Sequence, residues 1–126
     1  GALRNLSMKR DVSQKIGEEG ALPYMISLLR SPDERIQEQA VTLLRNLSVN
    51  DANKVKIAQC GGLAPLIILL SSTVPRIQEQ VAVAVRNLSM AEENETALVF
   101  EGALPPLAEL LHHQDESIVE QALVTL

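Results

Sequence analysis

The tetrapeptide RNLS occurs three times in this 126-residue chain, and each copy begins 41 residues after the one before it. The copies span residues 4–7, 45–48 and 86–89. Other residues keep the same interval, including Gly20, Gly61 and Gly102, and Ile36, Ile77 and Ile118. A period of this length without gaps is typical of repeat proteins, in which stacked units of a few helices bury a shared core. The chain is therefore predicted to be one domain built from stacked copies of one unit.

Each unit is predicted to contain three helices. The first is short, as in DANKVKIAQC (51–60), with Asp51 as its N-cap and Gly61 ending it. The second, LAPLIILL (63–70), is apolar nearly all round and carries proline in its first turn, where a missing backbone N–H costs nothing. The third and longest is RIQEQAVTLLRNLS (35–48). The fold class is therefore predicted to be all-α.

The third helix is expected to hold the asparagine of RNLS beside the core. At about 100° per residue, the core stripe comprises Ile36, Ala40, Leu43, Leu44 and Leu47. The polar strip next to it comprises Gln39, Thr42 and Asn46 in one unit, Gln80, Val83 and Asn87 in the next, and Asn5 in the preceding one. Equivalent helices about 8–10 Å apart would line one surface with asparagines. An amide both donates and accepts, so this row could hold the backbone of an extended peptide.

One edge of the polar strip is charged. Arg45 and Glu38, like Arg86 and Glu79, lie two turns apart there. Two interpretations stay open: a solvated ladder of charges between neighbouring units, or arginines, including Arg4, that flank the peptide surface and attract acidic partners. Exposed ion pairs contribute only about 0–1 kcal/mol each, so stability does not choose between them. The asparagines also have an alternative role, which is to satisfy carbonyl groups at the helix end.

Composition and charge argue against several classes of function. The net charge of −5 disfavours binding to nucleic acid. Residues 1–86 carry all 11 basic residues and 8 acidic ones, whereas residues 87–126 carry 8 acidic residues and none that are basic. No apolar run is long enough to span a membrane, and no signal-peptide layout opens the chain. An intracellular protein, cytoplasmic or nuclear and not inserted in a membrane, is therefore predicted. Its four N-x-S/T sequons are not expected to carry glycans.

The reactive side chains do not form a recognisable site. Cys60, the only cysteine, is predicted to be a small buried residue without a neighbouring base. His112 and His113 are adjacent and diverge by about 100° on a helix, so they are expected to end the second helix rather than to bind a metal. The stretch AEENE (91–95) is predicted to be a solvated acidic turn. No cofactor, metal or enzymatic activity is predicted.

The order of the motifs resembles the armadillo repeat. Glycine followed by ALP or LAP, a Leu-Leu pair, SPDE, IQEQA and LRNLS follow one another along essentially the whole chain. The resemblance implies a right-handed α-solenoid of about three 41-residue repeats, with units at about 1–34, 35–75, 76–116 and 117–126 of a single domain, 1–126. It also implies a concave groove, lined by the third helices, that binds an extended or disordered segment of another protein. In that groove Asn46, Asn87 and Asn5 hold the bound backbone.

One departure from the family pattern concerns the branch. Members that import nuclear cargo usually carry a tryptophan four residues before that asparagine, and Thr42 and Val83 stand there in this chain, which has no tryptophan. The preceding arginine instead resembles the beta-catenin, plakophilin and vacuolar-adhesion branch. The predicted function is a non-enzymatic scaffold for protein–protein interaction. Its specificity is assigned to Gln39, Thr42, Arg45, Gln80, Val83 and Arg86.

Both chain ends fall inside a third helix of the repeat pattern. We therefore expect either an excerpt of a longer array or a homo-oligomer in which the uncapped terminal helices pair between copies. The alternative function is a structural, self-assembling segment, or part of a multidomain regulator, that has no peptide ligand of its own.

Overall fold

The structure, a computed structural model, describes residues 21–113 and 115–126, and this part of the chain contains eight helices and no strand. Asn5 and the first RNLS copy lie outside the described residues. The helices are α1 Leu22–Leu28, α2 Glu34–Leu47, α3 Asp51–Gln59, α4 Leu63–Leu69, α5 Pro75–Ser89, α6 Glu92–Phe100, α7 Leu104–Leu110 and α8 Glu116–Thr125.

Equivalent helices of successive units lie side by side. The long helix α2 packs along α5, α5 packs along α8, and the short helix α3 contacts α6. Within each unit, α1, α4 and α7 pack against α2, α5 and α8. The prediction of an all-α fold built from stacked three-helix units is confirmed.

The core that joins the units is aliphatic. Leu44, Leu66, Ile77 and Leu88 are fully buried in it, as is Ile118 near the other end of the described chain. Burying one such side chain contributes about 1.5–3 kcal/mol, so these contacts between units are the main source of stability. Both aromatic residues of the chain point outward, which agrees with a core of Leu, Ile, Val and Ala.

Glycine ends the short first helices, as the sequence predicted. Gly61 follows α3 with φ +82°, and Gly102 follows α6 with φ +87°. The Gly61 N–H donates to the Ala58 carbonyl, and the next N–H, from Gly62, donates to the Ile57 carbonyl. This pair of bonds is a Schellman motif, which needs a residue in the left-handed conformation that glycine adopts without strain.

The N-cap of α3 differs from the prediction by one residue. The Asn50 side chain accepts the backbone N–H of Asn53, so Asn50 is the cap and Asp51 is the first helical residue. Asp51 instead accepts a 2.8 Å hydrogen bond from the ammonium group of Lys54. That bond, together with the positive charge of Lys54, lowers the pKa of Asp51.

Three burial predictions were wrong. Ile36 and Leu43 were placed in the core stripe, but each is 39% exposed. Their equivalents, Ile77 and Ala84, are buried in α5, which packs between α2 and α8, whereas among the described long helices α2 packs against α5 alone. Cys60 is exposed rather than buried, because it caps the C-terminus of α3. The acidic stretch 91–95 is not all solvated, since Asn94 within it is 2% exposed.

Candidate functional site

The third helices carry most of the predicted site residues at equivalent positions of the repeat, along one predicted surface. We call this surface the asparagine face; its members are Gln39, Thr42 and Asn46 on α2 and Gln80, Val83 and Asn87 on α5. Gln39 and Asn46 are exposed, and the other four are half-buried. On α2 the face includes an open depression of about 430 Å³, lined by Arg35, Glu38, Gln39, Thr42, Leu43 and Asn46.

Asn46 is held by the arginine that precedes it. The Arg45 guanidinium donates to Asn46 Oδ1 through Nη2 at 3.0 Å and through Nε at 3.3 Å. Arginine can only donate, so the carbonyl oxygen of the Asn46 amide must face it and the NH₂ group must face away. In this arrangement the exposed amide of Asn46 offers hydrogen-bond donors to a ligand.

Asn87 is held by the preceding unit instead. Its Nδ2 donates to Ser48 Oγ at 3.1 Å, and Ser48 is fully buried. The Ser48 hydroxyl itself donates to the Arg45 carbonyl at 2.6 Å, so its oxygen can only accept from Asn87. The amide of Asn87 is therefore oriented with its NH₂ group toward α2. Its carbonyl oxygen Oδ1 offers an acceptor to a ligand.

The second arginine of the site reaches forward to the next unit. Arg86 Nη1 donates to Gln121 Oε1 of α8 at 2.9 Å. One unit earlier, the equivalent acceptor is Gln80 Oε1, which is buried and has no hydrogen-bond partner within the described part of the chain. The pairs Arg45 with Gln80 and Arg86 with Gln121 are therefore equivalent in sequence but different in structure.

A second pair of asparagines, 41 residues apart, is buried between the units. Asn94 Nδ2 donates to the Leu88 carbonyl and to the Lys54 carbonyl, each at 2.9 Å. Asn53 Nδ2 donates to the Leu47 carbonyl at 3.1 Å. Both side chains thus satisfy carbonyl groups at the end of a third helix, and Asn94 also ties α6 to α3 of the unit before it.

The charges on the edge of the asparagine face connect units only weakly. Arg76 Nη1 lies 3.8 Å from Glu38 Oε1, and the Arg76 side chain is 83% exposed. Such a pair contributes little to stability. The contact agrees with the interpretation of a ladder between neighbouring units.

Sequence reasoning predicted the asparagine face but did not predict which side chains would bond to its asparagines and arginines. Ser48, which orients Asn87, received no role, and Gln121, which accepts from Arg86, was placed in the polar strip of the last unit without a partner. The buried pair Asn53 and Asn94 was missed although its spacing equals the repeat period, because Asn94 lies among glutamates. The period alone could have revealed it, since surface positions vary freely between units and a repeated asparagine marks a constraint.

The comparison with protein families decides the classification. The armadillo/beta-catenin-like repeat matches residues 9–49, 50–90 and 92–126. The chain belongs to the armadillo repeat family. Armadillo units are typically non-enzymatic scaffolds. The family units begin at other residues than the predicted ones, and the predicted subdivision stays a prediction.

Solved structures of engineered proteins, among them designed armadillo repeat proteins, share the fold. An engineered protein is 27% identical, with a TM-score of 0.87 over 92% of this chain and 48% of its own. A designed armadillo repeat protein is also 27% identical, with a TM-score of 0.87 over 93% and 50% of the two chains. Another, solved in complex with peptide (KR)4, is 29% identical, with a TM-score of 0.87 over 98% and 54%. The armadillo protein is thus an α-solenoid.

Four further findings concern the length of the match, curated relatives, membrane spans and metal sites. The armadillo protein spans about half of the engineered chains named above. No curated protein sequence matches it significantly. In the part of the chain that the structure describes, each helix is too short or too polar to cross a lipid bilayer. Nor do three His, Cys, Asp or Glu side chains converge there into a group that could hold a metal ion.

Proposed function

We propose that the protein is an interaction scaffold that holds an extended peptide segment of a partner along the asparagine face. The observation that carries this proposal is the exposed amide of Asn46 at an open depression on α2, with Asn87 at the equivalent position of the adjacent helix α5. A designed armadillo protein of 29% identity was solved with a peptide, which supports the same use of the fold here.

The two asparagines offer complementary contacts to a peptide backbone. The NH₂ group of Asn46 can donate to a peptide carbonyl, because it faces away from Arg45. The oxygen of Asn87 can accept a peptide N–H, because its NH₂ group is directed at Ser48. Every residue of a peptide except proline carries a backbone N–H and a carbonyl, so these contacts could bind peptides of many different sequences. Selectivity would come from Gln39, Thr42, Gln80, Val83, Arg45 and Arg86.

We further propose that the groove belongs to the beta-catenin, plakophilin and vacuolar-adhesion type. Half-buried Thr42 and Val83 take the positions where nuclear-import members carry tryptophan, so the aromatic slots for lysine side chains are missing. A cytoplasmic or nuclear partner protein fits this type.

Fluorescence anisotropy with labelled eight-residue peptides tests the groove. The peptides are (KR)4, an acidic (DE)4 analogue and a neutral (GS)4 analogue. Asn46→Ala should weaken the tightest of them about three- to ten-fold, which corresponds to one lost hydrogen bond. The substitution leaves the net charge unchanged, so a loss cannot come from general attraction between the acidic protein and a basic peptide.

Gln59→Ala is the matched control, since it removes an exposed amide at the end of α3, away from the asparagine face. Equal affinity of wild type, Asn46→Ala and Gln59→Ala for all three peptides would contradict the proposed groove.

A second candidate function is a structural, self-assembling segment without a peptide ligand. A depression of about 270 Å³ between α6, α7 and α8 favours it, because its lining is largely apolar and includes Leu98, Val99, Leu104, Leu107 and Leu126. Light scattering over a wide concentration range tests this function. A strictly monomeric particle would exclude assembly through this surface.

A further inference from the structure

We propose that Arg45 is a two-position side chain, which covers Asn46 Oδ1 in the free protein and moves to Gln80 Oε1 when Asn46 binds a peptide. The consequence for binding rests on the proposed function of the asparagine face. Gln80 is then a positioning residue that acts through Arg45, rather than a residue that contacts the peptide.

The first argument is that one molecule shows both positions. Arg45 turns back to the asparagine of its own RNLS copy, with donor–acceptor distances of 3.0 and 3.3 Å. Arg86, in the next copy, reaches forward by 35 residues to Gln121, at 2.9 Å. Gln80 stands at the same separation of 35 residues from Arg45, and α2 packs along α5 as α5 packs along α8.

The second argument is that the proposed second acceptor of Arg45 lacks a hydrogen-bond donor. Gln80 Oε1 is a buried oxygen without a hydrogen-bond partner among the described residues. A buried acceptor without a partner is destabilising, and a guanidinium donor would satisfy it. The free state therefore leaves one acceptor unpaired in order to pair Asn46. The alternative state pairs Gln80 and leaves the exposed oxygen of Asn46 to solvent or ligand.

The third argument is that the movement replaces the two hydrogen bonds from Arg45 to Asn46 with two others. A peptide N–H that binds Asn46 Oδ1 replaces the donors of Arg45, and Arg45 in turn supplies the donor that Gln80 lacks. Asn87 shows the arrangement expected after such a release: Arg86 binds forward to Gln121, and the Asn87 amide is bonded to Ser48. Binding at Asn46 would then tighten the contact between α2 and α5.

Chemical denaturation of four versions of the 126-residue chain tests the two positions without any ligand: wild type, Asn46→Ala, Gln80→Leu and the double variant. In wild type, Gln80→Leu should not lower the folding equilibrium constant, because it removes an unpaired buried acceptor. In the Asn46→Ala background it should lower the constant about three- to ten-fold, because Arg45 has lost Asn46 and now binds Gln80.

Gln121→Leu is the matched control one unit later. It should lower the folding equilibrium constant in the wild-type background, because Arg86 already binds Gln121. An equal effect of Gln80→Leu in both backgrounds would overturn the proposal, since Arg45 would then not move between the two acceptors.

Binding of peptide (KR)4 gives a second readout. Gln80→Leu should weaken binding in wild type but not in an Arg45→Ala background, where no guanidinium needs the second position. Equal weakening in both backgrounds would mean that Gln80 contacts the peptide directly and would overturn its role as a positioning residue. Failure of Asn46→Ala alone to weaken binding would instead contradict the proposed groove, and the stability comparison would still decide where Arg45 lies.

Discussion

Two described copies of the same tetrapeptide behave differently. In the copy at 45–48, the asparagine is exposed and the arginine folds back onto it. In the copy at 86–89, the asparagine is half-buried and directed at Ser48, and the arginine reaches the next unit. The serines behave alike, because each donates its hydroxyl proton to the carbonyl of the arginine three residues before it.

The difference shows which hydrogen bonds the tetrapeptide itself determines and which depend on the rest of the structure. The serine contact is local, four residues or fewer along one helix, so the sequence of the copy suffices to fix it. In the second copy the contacts of asparagine and arginine reach into neighbouring units, whereas in the first copy the two side chains bond to each other. A repeated motif therefore fixes the backbone and the face, whereas the hydrogen bonds of its long side chains are fixed unit by unit.

The largest expected effect on stability concerns Asn94, the buried asparagine that bonds to the end of the second RNLS helix. Asn94→Ala removes two 2.9 Å hydrogen bonds and leaves the Leu88 and Lys54 carbonyls without that donor inside the protein. The loss should lower the free energy of unfolding by about 2–3 kcal/mol, because each net bond contributes about 0.5–1.5 kcal/mol and unsatisfied buried groups add to the cost. Urea denaturation measures it.

Glu95→Ala is the control for that variant, since it alters the exposed neighbour on α6 and should change the free energy of unfolding by less than about 0.5 kcal/mol. If Asn94→Ala were no more destabilising than Glu95→Ala, the buried amide would not hold the second copy in place.

The variants Asn87→Ala and Asn46→Ala test whether the two copies contribute differently to stability. Asn87→Ala should lower the free energy of unfolding by about 1 kcal/mol, because the bond to fully buried Ser48 links two units. Asn46→Ala should cost clearly less, because its amide is exposed and its bond is to the adjacent Arg45 rather than to another unit. Thermal or urea denaturation of both variants provides the measurement. The reverse order would show that the two copies are not distinguished by their neighbours in the way described.

Much of the fold could be predicted because it depends on local patterns. Gly61 needs a positive φ that glycine supplies, and the first-turn prolines and the apolar runs of the second helices act within one unit. The spacing of 41 residues then required equal units to stack. The errors at Ile36 and Leu43 have another origin, because a helical wheel gives the direction of a side chain but not whether a neighbour covers it.

The site was predictable only in part for the same reason. That Asn46 and Asn87 lie on one face follows from their positions on equivalent helices. The orientation of each amide could not be predicted, because it depends on Arg45 in one case and on Ser48, 39 residues away, in the other. The period marks equivalent positions, but it does not predict whether an arginine will bond to the adjacent asparagine, as Arg45 does, or to a glutamine of the next unit, as Arg86 does.

The smallest expected effect concerns a hydrogen bond between units that the structure shows between α5 and the turn before α8 but not between α2 and the turn before α5. His113 stands where the earlier units have Ser31 and Ser72, and all three accept a backbone N–H from two residues further along the chain. His113 does so through Nδ1, so its proton is on Nε2, which donates to Gln78 Oε1 at 2.8 Å. Ser72 is too short to form the equivalent bond.

His113→Ser should therefore keep the local turn and lose only the bond between units. The expected loss in the free energy of unfolding is about 0.5 kcal/mol, the low end for one hydrogen bond, because Gln78 keeps its own bond to the Leu70 carbonyl. His112→Ser, at an exposed neighbouring position, is the control in urea denaturation. Equal stability of the two variants would mean that the joint between α5 and α8 gains nothing from His113, and that the two joints differ only in their arginines.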